Sequence, residues 1–268
     1  MEYAFLFYHR CDDNMFETCI KTLRLVSDCK IVVGTDNVPE EMRTEWTNSY
    51  GIEWIIIPRQ QMMGRRAAAK LEVLKDFTDT LLEGDKVFIC DVDMYFLLNP
   101  FEAFVNRTFD VGFTTRGYNY SYAINGGAYL LNINEASCNW VHWHVEQIHN
   151  PTWNVYRALN KNHRKRFGLD WAVGQDFMLA CWEHRDAIKK DKDICIEDVG
   201  SHYNYCPPSD QWAEKAFIAL RKAYRDKTHA VLHLKGALKD ILYEGLFEHA
   251  ITKYPKCQHD WFGAGKNT

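Results

Sequence analysis

The sequence predicts an α/β fold with a central mixed sheet flanked by helices. Three observations carry this reading. Short apolar runs alternate with longer amphipathic ones. The run Lys86-Val87-Phe88-Ile89-Cys90 has the composition of an interior strand. The early βα alternation then gives way to further strands and a more irregular last third, which implies a sheet with a switch point.

Taken in order, residues 3–8 read as a first strand. Residues 14–27 have helical spacing, with Phe16, Cys19, Ile20, Leu23 and Val26 recurring at three and four. Residues 30–34 and 53–57 are the next two strands. Residues 66–83 read as a helix with Leu71, Leu74, Phe77 and Leu81 on one face and Gly84 past its end. Strands are expected at 86–90, 111–114, 128–132 and 230–234, and helices at 135–149 and 171–184. With no repeat, low-complexity stretch or linker, one domain over 1–268 is expected, in two halves over about 1–95 and about 96–240, with a tail over 241–268.

The formal net charge of −4 argues against a general nucleic-acid partner. No apolar run reaches the roughly 18 residues a membrane helix needs, and the N-terminus lacks the basic segment and cleavage site of a signal peptide. The nine cysteines form no CxxC pair, so zinc-knuckle and dithiol motifs are excluded. The reading is of reduced thiols in a cytoplasmic protein.

Asp91-Val92-Asp93 directly follows the 86–90 run. The strand carries the chain through the core and delivers Asp91 to the sheet's carboxyl edge. Two carboxylates two residues apart are hard oxygen ligands suited to Mg²⁺ or Mn²⁺, an ion that can neutralise charge on a leaving phosphate. A second motif, His233-Leu234-Lys235-Gly236-Ala237-Leu238-Lys239, follows the apolar Ala230-Val231-Leu232. A neutral imidazole is a good third ligand for Mn²⁺. Gly236 lets backbone approach a phosphate closely, and Lys239 supplies a point charge.

Together the two motifs resemble those of the retaining GT-A glycosyltransferases of glycosyltransferase family 8, which pair a DxD after an apolar strand with a C-terminal HxxGxxK. Other segments resemble the same family: Asp12-Asp13-Asn14 its nucleoside-holding turn, Asn125 within Ala123–Asn132 its sugar-site asparagine, Gly174-Gln175-Asp176 its DQD, and Tyr203-Asn204-Tyr205 the segment before its last motif. Met15 and Gly174 depart from the pattern, so either Phe16 replaces the base-stacking aromatic or the base preference differs. The resemblance implies a GT-A, Rossmann-like nucleotide-diphospho-sugar transferase. Asp91, Asp93 and His233 would bind Mn²⁺ or Mg²⁺. Asp12, Asp13, Asn14, Lys70, Val92, Asn125, Gly236 and Lys239 would contact the donor, with Arg65 and Arg66 as alternatives to Lys70. A UDP-hexose is the implied donor, and a glycan, lipid-linked or protein hydroxyl the acceptor.

Gln175 and Asp176 are the candidates beside the anomeric carbon if configuration is retained. If it is inverted, Asp176 or Asp170 would be the general base. Asp176 also reads as an N-cap for the following helix. The aromatic-rich stretch 140–166, Trp153 in particular, offers faces for an acceptor sugar. Two rival readings stand beside the transferase: a haloacid-dehalogenase-like phosphatase with Asp91 as nucleophile, and a catalytically degenerate nucleotide-sugar binder.

Overall fold

The computed structural model describes residues 2–9, 14–57, 66–115, 123–149, 169–207 and 213–234, with residues 14, 66–68, 169–173 and 213–217 described as backbone alone. A seven-stranded sheet forms the centre. Its strands are β1 (Tyr3–Tyr8), β2 (Lys30–Thr35), β3 (Ile52–Ile56), β4 (Lys86–Cys90), β6 (Val111–Thr115), β7 (Ile124–Asn132) and β8 (Ile196–Asp198), in the order β3-β2-β1-β4-β7-β6-β8. Neighbours β3, β2, β1 and β4 are parallel; β7 runs antiparallel to both β4 and β6, and β8 is parallel to β6. The sheet is mixed, as the sequence predicts, and β7 is its reversed strand.

Strands β1 and β4 are apolar at every interior position because both faces are covered. The period of two divides them between two cores. Ala4, Leu6, Val87 and Ile89 enter a core closed by α3 (Arg66–Thr78), α4 (Glu135–His149) and α5 (Leu169–Glu183). Phe5, Phe7, Phe88 and Cys90 enter the opposite core with Phe16, Ile20 and Leu23 of α1 (Asn14–Arg24) and Trp46 of α2 (Glu40–Tyr50). Helix α6 (Arg185–Lys192) leads into β8.

A two-stranded antiparallel ribbon of β5 (Met94–Phe96) and β9 (Val231–His233) lies beyond the carboxyl end of β4. Helix α7 (Ala213–Asp226) precedes β9, and its Leu220 and Ala223 pack with Tyr95, Leu97 and Leu232 in a third, smaller core.

Two boundaries differ from expectation by more than three residues, and one capping assignment falls. Helix α3 ends at Thr78 and not at 83, where the Thr78 and Thr80 hydroxyls donate to the carbonyls of Lys75 and Phe77 at 2.9 and 2.7 Å. Side-chain bonds of this kind compete with the helical ladder. Strand β7 begins at Ile124, four residues before the expected start, so the Gly126-Gly127 pair lies inside a strand. Asp176 falls within α5 and is not its N-cap.

Candidate metal and donor site

The site is assembled by backbone pairing before any side chain is considered. The β4–β7 register ends at Cys90↔Ala128, and the Asp91 N–H then donates to the Gly127 carbonyl at 2.7 Å, which sets Asp91 against Gly127. The ribbon pairs Met94 with His233, and the Leu234 N–H donates to the Asp93 carbonyl at 2.9 Å. These two registers deliver the three side chains of the DxD and C-terminal motifs to one point. One ligand atom from each of Asp91, Asp93 and His233 lies within 4.8 Å of the others. The His233 Nε2 is 2.9 Å from Asp93 Oδ1 and 3.6 Å from Asp91 Oδ2. Asp93 and His233 are buried, while the Asp91 side chain is 37% exposed.

The other ring nitrogen of His233 fixes the tautomer. The Thr114 hydroxyl donates to the Ala128 carbonyl at 2.6 Å, so its oxygen accepts, and it takes a hydrogen from Asn204 Nδ2 at 2.7 Å. That orients the Asn204 amide oxygen toward His233 Nδ1, at 2.7 Å. Asn125 cannot compete as an acceptor. Its Oδ1 receives the Gly127 N–H at 2.9 Å, so its nitrogen is the atom 3.2 Å from Nδ1, and that nitrogen is aimed at Cys206 Sγ, 3.1 Å away. Nδ1 therefore carries a hydrogen, and in the neutral imidazole Nε2 presents its lone pair toward two carboxylates.

Gly127 supplies the room. A Cβ at this position would stand 2.3 Å from His233 Cε1 and 2.4 Å from Asp91 Oδ2. A cradle closed to even a methyl group, with two carboxylates and one imidazole lone pair converging on it, is a donor set that fits Mn²⁺ or Mg²⁺.

Lys70 on α3 donates to Asp91 Oδ1 at 2.8 Å and brings a cation to the rim of this site. Val92 is partly buried between two cores. Asn125 is 2% exposed and lies beside His233. Gln175 clamps the start of β7: its Nε2 donates to the Ile124 carbonyl at 2.7 Å and its Oε1 accepts the Gly126 N–H at 2.8 Å. Asp176 is fully buried. Phe16 does not offer a face for a base, since it is fully buried with His9 stacked on it at 4.3 Å and Trp46 at 5.0 Å. Asp12, Asp13, Gly236, Lys239, Arg65 and Trp153 lie outside the described residues, and Asn14, Arg66 and Asp170 are described in backbone alone.

The sequence reading did not assign roles to Gly127, Asn204 or Thr114. A glycine doublet following the apolar edge of a strand was the available signal for Gly127, because strand glycines mark close approach by another group. Asn204 lies within the Tyr203-Asn204-Tyr205 segment of the resemblance, with no role attached, and Thr114 carries no comparable pattern.

The family model for nucleotide-diphospho-sugar transferases matches residues 57–178, which includes Asp91, Asp93, Asn125 and Gln175. A comparison with curated proteins gives no match. Among solved structures, the fold is similar to the apo form of the glycosyltransferase GlyE of Streptococcus pneumoniae TIGR4, at 14% identity and TM-score 0.56, over 93% of this chain and 60% of that one. The chain thus spans less than two thirds of GlyE. It is similar to the galactosyltransferase LgtC in complex with donor and acceptor sugar analogs, at 15% identity and TM-score 0.54, over 97% and 99% of the two chains. It is also similar to a glycosyltransferase involved in glycosylation of the major capsid of PBCV-1, at 10% identity and TM-score 0.52, over 92% and 100%. Likeness at these identities shows the fold alone: the chain has the GT-A fold of these glycosyltransferases, and its residues 57–178 match the model for nucleotide-diphospho-sugar transferases.

Proposed function

We propose that the chain transfers a hexose from a UDP-sugar to a hydroxyl acceptor with retention of configuration, and that it needs Mn²⁺ or Mg²⁺ to do so. The observation that carries this reading is the convergence of Asp91, Asp93 and His233 within 4.8 Å, at the carboxyl end of the switch-point strand β4. When bound there, the cation would neutralise the charge that grows on the departing diphosphate.

The chain's own residues divide the remaining work. Asp91 and Asp93 supply hard oxygens and His233 a lone pair. Gly127 keeps the space beside them open. Lys70, within reach of Asp91, adds a positive charge on the diphosphate side, and Gly236 and Lys239 are assigned to the same group. Asp12, Asp13 and Asn14, around the start of α1, are assigned to the nucleoside, with the Val92 backbone. Gln175 is assigned the anomeric side of the sugar with Asn125 beside it, supported by its bond to Gly126 next to the cradle. Asp176, buried in α5 next to Gln175, is assigned with it to the anomeric side of the sugar.

The two halves meeting at about residue 95 would form one domain around this site. Seven cysteines among the described residues are free thiols, which supports a cytoplasmic setting. No described helix is long and apolar enough to cross a membrane. The test is a thermal-shift screen of nucleoside diphosphates and nucleotide sugars with and without Mn²⁺, followed by transfer assays with the hits. UDP should stabilise the protein only with the metal. Equal stabilisation by every nucleotide without metal would overturn the reading.

A further inference from the structure

We infer that Asn204 is a positioning residue for the cation site: with Thr114 behind it, its amide holds His233 in the single tautomer and ring orientation that aim Nε2 at Asp91 and Asp93. The inference rests on the metal-dependent reading above and goes beyond it to two residues that touch neither donor nor cation.

The relay has a direction at every step. It starts at the Ala128 carbonyl, which can only accept, and passes through the Thr114 hydroxyl at 2.6 Å to the Asn204 amide at 2.7 Å. It ends at His233 Nδ1–H, again at 2.7 Å. A hydroxyl whose hydrogen is committed to a carbonyl can only accept from its next neighbour, so Asn204 must present nitrogen to Thr114 and oxygen to His233. Thr114, Asn204 and His233 are each fully buried, so no water is available to satisfy a reversed amide.

The backbone holds the relay in place. The Tyr205 N–H donates to Val231, and the His233 N–H donates to Tyr205, both at 2.9 Å, which fastens the segment carrying Asn204 alongside β9. Ala128, the origin of the chain of bonds, is the β7 residue paired with Cys90, immediately before Asp91. The relay therefore ties the imidazole to the strand pair that positions the first carboxylate. Partners of ligating histidines act in this way: they set the tautomer, and their loss costs about 10–100-fold in metal affinity.

The test uses the full chain with Asn204→Leu, Asn204→Asp and Thr114→Val. The first readout is the pair of ¹⁵N shifts of the His233 ring in metal-free protein, recorded with ¹⁵N-labelled histidine. The second is Mn²⁺ affinity in the presence of UDP. In the unaltered protein Nδ1 should be pyrrole-like throughout, and Nε2 pyridine-like wherever the imidazole is neutral. Asn204→Leu should mix the tautomers and weaken Mn²⁺ binding about 10–100-fold. Asn204→Asp, which keeps an acceptor for Nδ1–H, should restore both. Thr114→Val, which changes volume little, should give a smaller shift in the same direction. Unchanged ring shifts and Mn²⁺ affinity in folded Asn204→Leu and Thr114→Val would overturn the inference. If the unaltered protein binds no Mn²⁺, the metal-dependent reading fails, while the metal-free ring shifts still decide the role of Asn204.

Discussion

His233 Nε2 stands 2.9 Å from Asp93 Oδ1, and the two residues reach one another through the β5–β9 ribbon rather than through any local turn. With the Nδ1 hydrogen donated to Asn204, that contact sets a nitrogen lone pair against a carboxylate oxygen. A cation between the two groups makes the arrangement favourable.

Removing one of these ligands gives the sharpest expectation. Asp93→Ala should abolish the Mn²⁺-dependent part of stabilisation by UDP, which for the unaltered protein amounts to about 2.7 kcal/mol at a ligand concentration a hundredfold above Kd. Sugar transfer should fall by at least about 10²–10³. Differential scanning fluorimetry with and without EDTA checks the first, and a donor-consumption assay the second.

Gly127→Ala should separate the site from the fold. The added carbon meets His233 and Asp91 at 2.3 and 2.4 Å, so the cation ligands must move, and overpacking of this kind costs about 1–3 kcal/mol. Gly126→Ala meets only the ends of Gln175 and Met178, at 3.1 and 3.2 Å. The Mn²⁺-dependent melting shift should disappear in the first variant and survive in the second.

Gln175→Leu removes two bonds to the buried start of β7. Leaving the Ile124 carbonyl and Gly126 N–H without that amide should cost about 1–3 kcal/mol, read from urea denaturation. A loss of activity beyond what that destabilisation accounts for would support the assignment of this amide to the anomeric side of the sugar.

His144 sets an acid limit on stability. Burial against Trp140 and Phe177 pushes its pKa down from 6.5 to about 3, so it is neutral in the fold. Between those values the unfolded chain binds the extra proton, and stability falls as pH drops, by up to about 1.4 kcal/mol per pH unit. Above pH 6.5 the group is neutral in both states and contributes no slope. His144→Phe should flatten the decline in stability between pH 6.5 and pH 4, measured by denaturation at each pH.

Much of this architecture is legible in the residues. Interior strands covered on both faces cannot hide their composition, so β1, β2 and β4 stand out as apolar runs. Short pieces such as β5 and β8, three residues each, carry too few positions to show a period. The amphipathic helices α2, α6 and α7 were missed although two of them are strongly one-sided, because their charged residues blend with those of loops. The candidate metal ligands were readable because two carboxylates after a buried strand are chemically conspicuous. Their support was not: Thr114 and Asn204 matter through a bond direction that only the three-dimensional register establishes. The base-facing role read for Phe16 failed for the opposite reason, since a helix spaced for burial carries that ring into the core.

The ribbon also dictates when the cation site can exist during synthesis. Every strand of the large sheet, through β8, is available once position 198 has left the ribosome, whereas β9 is not made until position 233. Pairing over such long sequence separation is slow to close. A nascent chain halted just before β9 thus has all the strands of its sheet and both carboxylates, yet no imidazole to complete the trio, so on the metal-dependent reading cation capture would mark a chain whose β9 has docked.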